Sequence, residues 1–266
     1  MTTTRKKAYL TIDDSPSSSF IEKLNYLESK KIPAVFFCIG QLMEKRPVMM
    51  IDSIQRGVQI ANHSYSHPAF SKISLEQAKY EIEKTDEIIQ NLHLRAGEEW
   101  KQKWFRFPYG DKGDLKNGEV FNFKKQSHQE RKDFIQKILL ELEYTQPEWH
   151  EVTYEYMRKA QLFDELDWHW TFDLMEWATF EYKPTFGLKN LHKLIQRLNQ
   201  KQPKDCRGDL GNEPRWLNSS SAEIILLHDH EETTPIFNAL VDKMLEYPLE
   251  FVRLNAELRR EDAEIR

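Results

Sequence analysis

The sequence predicts an α/β protein built on a parallel sheet or barrel, and three observations carry that reading. Seven short apolar runs, each bounded by turn signals, alternate with segments of helical periodicity. Carboxylates, histidines and an arginine stand just past the ends of several of these runs, where such folds gather their active sites. With 39% hydrophobic and 12% aromatic residues, the 266-residue chain can bury a sizeable core without disulfide or metal staples.

The strand candidates are 9–12, 34–39, 58–61, 104–107, 166–172, 224–227 and 251–254. After the first, Phe20, Ile21, Leu24 and Leu27 share one helical face. Ser74 followed by Gln77 reads as a capping box opening a helix that runs to about Leu92. Thr234-Pro235 supplies an N-cap and a first-turn proline ahead of Leu240, Val241, Met244 and Leu245. The alternation breaks once, between Tyr109 and Leu166, a gap too long for one crossover helix. An insertion over about 111–165 accounts for it, with helical patterns at 131–144 and 152–163 parted by Gln146-Pro147. It is expected to lie over the carboxyl face of the sheet and narrow the site. Residues 201–218 read as a surface loop, and the last dozen residues, which are charged, as a fraying tail. The whole, 1–266, is read as a single domain.

Composition excludes several function classes. Lys and Arg number 38 against 43 Asp and Glu, a net charge of −5, and no basic block offers a hold on nucleic acid phosphates. Two cysteines far apart in sequence make neither a disulfide framework nor a cysteine zinc site, so a reducing compartment is permitted. No apolar stretch approaches the roughly 18 residues of a membrane span, and no membrane partner is expected. Residues 1–7 lack the core of a signal peptide, which predicts a cytoplasmic location if this start is native and an extracytoplasmic one if an export segment has been removed.

Chemistry concentrates in four places. The first strand ends in Asp13-Asp14-Ser15-Pro16, adjacent carboxylates that on their own are compatible with a simple turn. The third is followed by His63 and His67, which face one way if the segment turns helically. One carboxylate and two imidazoles make a donor set with open positions, as a catalytic divalent metal requires. The fourth ends in Arg106-Phe107-Pro108-Tyr109-Gly110, a fixed cation and a tight turn whose N–H groups can serve an oxyanion. The sixth ends in His228, a candidate general acid or base.

Together these segments, in this order, resemble the polysaccharide deacetylase family, also called carbohydrate esterase family 4. Phe36-Phe37-Cys38-Ile39-Gly40, the run from Arg56 to His63 and the run from Leu245 to Val252 extend the resemblance over roughly 8–110 and 166–255. It implies a distorted (β/α)7 barrel, here with a helical insertion after the fourth strand, and removal of N-acetyl groups from an N-acetylated sugar, oligosaccharide or small acetamide. Asp13 would be the catalytic base and Asp14, His63 and His67 the metal ligands. The cation would be zinc, with cobalt, nickel or manganese as alternatives. Arg106 would orient Asp13, and the backbone N–H of Tyr109 would join the oxyanion site. His228 would be the general acid, Glu176 or Asp173 its partner, and Trp177 and Leu226 the walls of the acetyl pocket.

Two positions depart from the family pattern. Ser15 stands where glycine is usual, so a Cβ is expected to tighten or reshape the turn. Glu176 stands where aspartate usually precedes the tryptophan, which moves the charge by one methylene. Two other readings stay open: O-acetyl ester hydrolysis by the same machinery, and a non-catalytic carbohydrate-binding scaffold. Elsewhere, His93, His128, His150 and His192 are assigned nothing, His169 is read as packing ahead of substrate contact, and His230 as a cap ahead of substrate contact. For Trp149, Tyr154, Tyr156 and Trp168, sugar stacking and an insertion core are equally open.

Overall fold

The computed structural model describes residues 5–114, 129–149, 151–180, 186–205, 207 and 210–254. His128, His150 and the charged tail from 255 lie outside them. The elements, in order, are β1 (Lys6–Ser15), α1 (Phe20–Ser29), β2 (Ala34–Cys38), α2 (Gly40–Lys45), α3 (Pro47–Gln55), β3 (Gln59–Asn62), α4 (Leu75–Ala96), α5 (Gln129–Glu141), α6 (Glu155–Lys159), β4 (Phe172–Asp173), α7 (Leu191–Leu198), β5 (Glu223–His228), α8 (Thr234–Leu245) and β6 (Leu249–Phe251). All strand pairs are parallel, in the order β3-β2-β1-β5-β4, with β6 beside the first residues of β1.

The α/β architecture with a parallel sheet is therefore present, and its two faces follow the alternation of each strand. Leu10 and Ile12, Phe36, Ile60, Ile225 and Leu227 pack outward against Phe20, Leu24 and Leu27 of α1 and Phe237, Leu240 and Met244 of α8. Val35, Phe37 and Ala61 point the other way, onto Trp104 and Trp168. The expected strand at 104–107 is reduced to Phe105, which bridges Asn62 on one side and Asp167 on the other. Pro108, which has no N–H, and the left-handed Tyr109 (φ 59°) end it. The segment that starts at Asp167 beside Phe105 continues into β4, which pairs with β5, so the sheet curls round on itself.

Local signals account for several boundaries. Ser74 caps α4 by accepting from the Gln77 N–H, and Gly97 closes it at φ 77°, a conformation that glycine adopts without a Cβ penalty. Only half the capping box forms, and the Gln77 side-chain amide donates to Glu81. Thr234 lies inside α8 and Thr233 occupies the N-cap; its hydroxyl donates to the His230 carbonyl. The loop at 201–218 is not wholly on the surface, since Trp216 is buried and stacks on Phe172 at 4.0 Å between ring centroids.

The described residues from 129 to 165 take a different place from the one expected of the insertion. Ile135, Ile138 and Leu139 of α5 pack on Phe70, Phe105 and Phe107 at the flank. Further on, Trp149 meets the Tyr9 and Trp168 rings, Ala222 N–H donates to the Glu151 carbonyl, and Thr153 N–H donates to Ser221. Tyr9 lies toward the amino-terminal end of β1 and Ser221 and Ala222 just precede β5, so Trp149 and residues 151–153 close the end of the sheet opposite to the one that carries Asp13 and His228. Tyr154 and Trp168 are buried in two separate clusters, with Trp149 packed against both and Tyr156 against the first, which answers the stacking alternative for these aromatics in favour of packing. Among the described residues no helix is long and apolar enough to cross a membrane.

Candidate active site

At the carboxyl ends of β1, β3 and β5 lies a cleft of about 780 Å³. Nine predicted residues line it: Asp13, Asp14, His63, His67, Tyr109, Asp173, Trp177, Leu226 and His228. Arg106 and Glu176 are buried directly behind and reach the cleft through Asp13 and His228.

Strict alternation along β1 sends neighbouring side chains to opposite faces, yet both aspartates line the cleft. The register of β1 against β2 shifts between Ile12 and Ser15, and Asp14 sits at φ 64°. This bulge turns the second carboxylate to the side of the first. The strain expected at Ser15 therefore falls on Asp14. Ser15 is fully buried as the last residue of β1, and its carbonyl accepts the Ile39 N–H.

His63 and His67 come together without the helical turn expected from their spacing. Ser64 and His67 both adopt left-handed backbone, at φ 65° and 61°. Each left-handed residue costs roughly 1–2 kcal/mol, and the surroundings hold it. Asn62 accepts the Ser64 N–H, Ser64 accepts the His67 N–H, and the buried Glu81 accepts the Tyr65 and Ser66 N–H groups and the Ser66 hydroxyl. Gly40 and Gln41 at the start of α2 donate to the Ser64 and Tyr65 carbonyls.

His63 Nδ1 lies 2.8 Å from the Arg106 carbonyl, so Nδ1 carries the hydrogen and Nε2 offers its lone pair. That Nε2 is 3.5 Å from Asp14 Oδ1, and His67 Nε2 is 2.9 Å from the same oxygen. Asp14 Oδ1 is buried and accepts no aligned hydrogen bond. One unsatisfied carboxylate oxygen facing two imidazole nitrogens fits a divalent cation with open positions. Burial opposes charge on Asp14, but the nearby His67 and the hydrogen bond from His230 hold its carboxyl well below the usual range.

Arg106 is fully buried. Its Nη1 donates to Asp13 Oδ1 at 2.7 Å and to Thr11 Oγ1 at 2.9 Å, and Thr11 passes the bond on to the Ile225 carbonyl. The guanidinium lies 4.2 Å from the Phe37 ring centroid. Burial pulls the Arg106 pKa down against the pull of Asp13, and an arginine remains charged under both influences.

On the opposite strand, His228 Nδ1 lies 3.0 Å from Glu176 Oε1, which also accepts the His228 backbone N–H. Burial disfavours the imidazolium, yet Glu176, then Asp14 and Asp173, bring the pKa up to about 10. The longer glutamate thus reaches the histidine. Asp173 accepts the Met175 N–H and the Trp177 indole N–H, and its own carboxyl is raised by burial.

Three groups escaped the sequence reading. His230 is no cap: its Nε2 donates to Asp14 Oδ2 at 2.6 Å. Asp229 accepts from the Ser17 N–H and hydroxyl and from buried Lys23, tying the loop after β5 to the loop after β1. Trp170 lines the cleft wall beside Arg106. His-Asp-His after an apolar strand was the available signal for the first two. His169 is buried beside Asp167, and burial and Lys112 push it down to about 4, consistent with a packed neutral ring.

Residues 1–123 match the polysaccharide deacetylase family. The peptidoglycan-N-acetylglucosamine deacetylase of Bacillus cereus is 37% identical over 103 residues, 38% of this chain and 36% of that protein. The chitooligosaccharide deacetylase of Sinorhizobium fredii is 31% identical over 103 residues, 38% of this chain and 46% of that protein. The alignments thus span less than half of either relative. A family 4 carbohydrate esterase from Streptomyces lividans, solved in complex with acetate, shares the fold with a TM-score of 0.54 at 19% identity, covering 93% of this chain and 92% of that one. The segment that matches the polysaccharide deacetylase family holds Asp13, Asp14, His63, His67 and Arg106.

Proposed function

We propose that this protein is a metal-dependent hydrolase that removes N-acetyl groups from an N-acetylated sugar, oligosaccharide or related small acetamide. One observation carries the reading: a single cleft holds the Asp14, His63 and His67 set together with Asp13, paired to Arg106, and His228, paired to Glu176. Asp14, His63 and His67 would hold the cation, zinc in the first instance, with cobalt, nickel or manganese as alternatives. Bound there, it supplies acidification of water and polarisation of the amide carbonyl.

The chain's own residues do the rest. Asp13, an acceptor fixed by Arg106, takes the proton of the attacking water. His228, protonated at neutral pH, donates to the departing amine. The Tyr109 N–H serves the oxyanion, and Leu226 and Trp177, the latter held by Asp173, bound the acetyl group. The water supplies its oxygen to acetate and the amine keeps the His228 proton. We infer that the frame is a single domain over 1–266, a distorted (β/α)7 barrel with Phe105 standing for the fourth strand and a helical insertion after it.

Acetate release from a panel of N-acetylated sugars, oligosaccharides and small acetamides tests the reading. Release by zinc- or cobalt-restored protein, absent from metal-stripped protein and from Asp13→Asn, supports it. If His228→Ala keeps most of its turnover, the reaction is ester cleavage, and if the wild type binds no metal, the chain is a scaffold.

A further inference from the structure

We propose that His230 is a positioning residue for the metal centre, holding one oxygen of Asp14 so that the other faces His63 and His67. The inference rests on the reading that these three residues bind a divalent cation.

A carboxylate can turn about its last bond, and either oxygen can be offered to a cation. Here the two oxygens have different neighbours. Oδ2 accepts from His230 Nε2 at 2.6 Å, while Oδ1 lies near the Nε2 atoms of His67 and His63. A carboxylate oxygen only accepts, so His230 Nε2 carries the hydrogen. That nitrogen has no lone pair left for a cation, and Nδ1 lies across the ring, buried and without a hydrogen-bond partner. His230 therefore acts on the cation through Asp14 and is not itself a ligand.

The ring is held where this requires it. It stacks on His228 at 5.4 Å with planes 22° apart and leans on Phe180 at 5.0 Å. Its carbonyl accepts from buried Lys23 Nζ at 2.7 Å and from the Thr233 hydroxyl at 2.9 Å. The neighbouring Asp229 is bonded to Ser17, so the loop that bears His230 is tied to the loop that follows Asp14. Partners that orient a metal ligand in this way change metal affinity by about 10- to 100-fold when removed.

The test is the affinity of wild type, His230→Ala and His230→Gln for zinc, read by competition with a chromophoric chelator, with the visible spectrum of the cobalt-loaded proteins beside it. His230→Ala is expected to bind about 10- to 100-fold more weakly. His230→Gln, whose amide N–H can reach Asp14 Oδ2, is expected to recover most of the loss and to keep the wild-type cobalt spectrum, because the ligand set is unchanged. The glutamine variant also keeps the test available should the alanine variant fail to fold. Equal affinity in wild type and His230→Ala overturns the inference, as does a glutamine variant that binds no better than alanine or whose cobalt spectrum reports a lost nitrogen ligand. A wild-type protein that binds no metal fails earlier, at the reading of Asp14, His63 and His67, and takes this inference with it.

Discussion

Glu176 places one oxygen 3.0 Å from His228 Nδ1 and uses the same oxygen to accept the His228 backbone N–H. The ring is thereby fixed at the end of β5 with its other nitrogen left for the cleft. Burial alone would make this histidine neutral, so its pKa of about 10 depends on the carboxylate beside it. Glu176→Gln is expected to lower that value by more than about one unit, read by NMR titration of the imidazole nitrogens in metal-free protein. Because the folded value lies above the ordinary 6.5, the pair contributes stability that is fully present below about 6.5 and is lost as pH rises through about 10. The variant should therefore lose stability at pH 7 and show little further loss between pH 8 and 10, where the wild type declines.

Arg106 and Asp13 form the other buried pair, the guanidinium fully enclosed and the carboxylate touching only the cleft. Removing the cation leaves a buried carboxylate uncompensated. Arg106→Ala is expected to cost about 3–5 kcal/mol of stability in urea unfolding. Arg106→Lys should still lose activity, because one ammonium cannot bridge Asp13, Thr11 and the Trp168 carbonyl as the guanidinium does. Wild-type acetate release by the lysine variant would show that the charge alone suffices.

The sequence made the site more legible than its supports. Asp13, Asp14, His63, His67, Arg106 and His228 stand at strand ends, and a parallel sheet brings such residues together whatever joins them. What the pattern could not supply was the route. Period-two alternation separates Asp13 from Asp14, and only the bulge with its left-handed Asp14 reunites them. The i and i+4 spacing of His63 and His67 suggested a helix, whereas Glu81, sixteen residues away from Tyr65, holds an irregular loop. His230 looked like a cap because its partner is 216 residues distant in the chain. The strand at 104–107 was overcounted because buried aromatics read alike whether one residue pairs or four.

Gly40 carries a prediction about this loop. A Cβ there would lie 2.6 Å from Thr85 Oγ1 and 2.8 Å from the Tyr65 ring, closer than packed atoms approach. The start of α2 would have to move away from α4, drawing with it the N–H groups that bind the Ser64 and Tyr65 carbonyls. Gly40→Ala is expected to cost about 1–3 kcal/mol and to weaken zinc binding, since His67 rides on the same loop. Unchanged melting temperature and zinc affinity would refute that linkage.

Asp14→Ala, His63→Ala and His67→Ala should each abolish stoichiometric zinc in the purified protein. A ligand that binds only the folded state stabilises by RT ln(1 + [L]/Kd), about 2.7 kcal/mol at a hundredfold excess over Kd. Zinc should therefore raise the melting temperature of the wild type and leave that of the three variants unmoved. A similar zinc-induced shift in His67→Ala would move the bound ion elsewhere.

Position in the fold separates the described residues of the inserted segment from the chemistry. Trp149 packs between Tyr9 and Trp168 at the amino-terminal end of the sheet, and none of the described residues from 129 to 165 lines the cleft. Its truncation removes a large half-buried aromatic from the interior and leaves a void that the rigid strands around it cannot fill by collapse. Trp149→Ala is expected to cost about 3 kcal/mol in urea unfolding. Substrate preference across the acetate-release panel should stay the same, because the walls around Asp13, Asp14 and His228 are untouched. A change of preference at unchanged stability would instead place this segment's influence at the carboxyl face, where the sequence alone had put it.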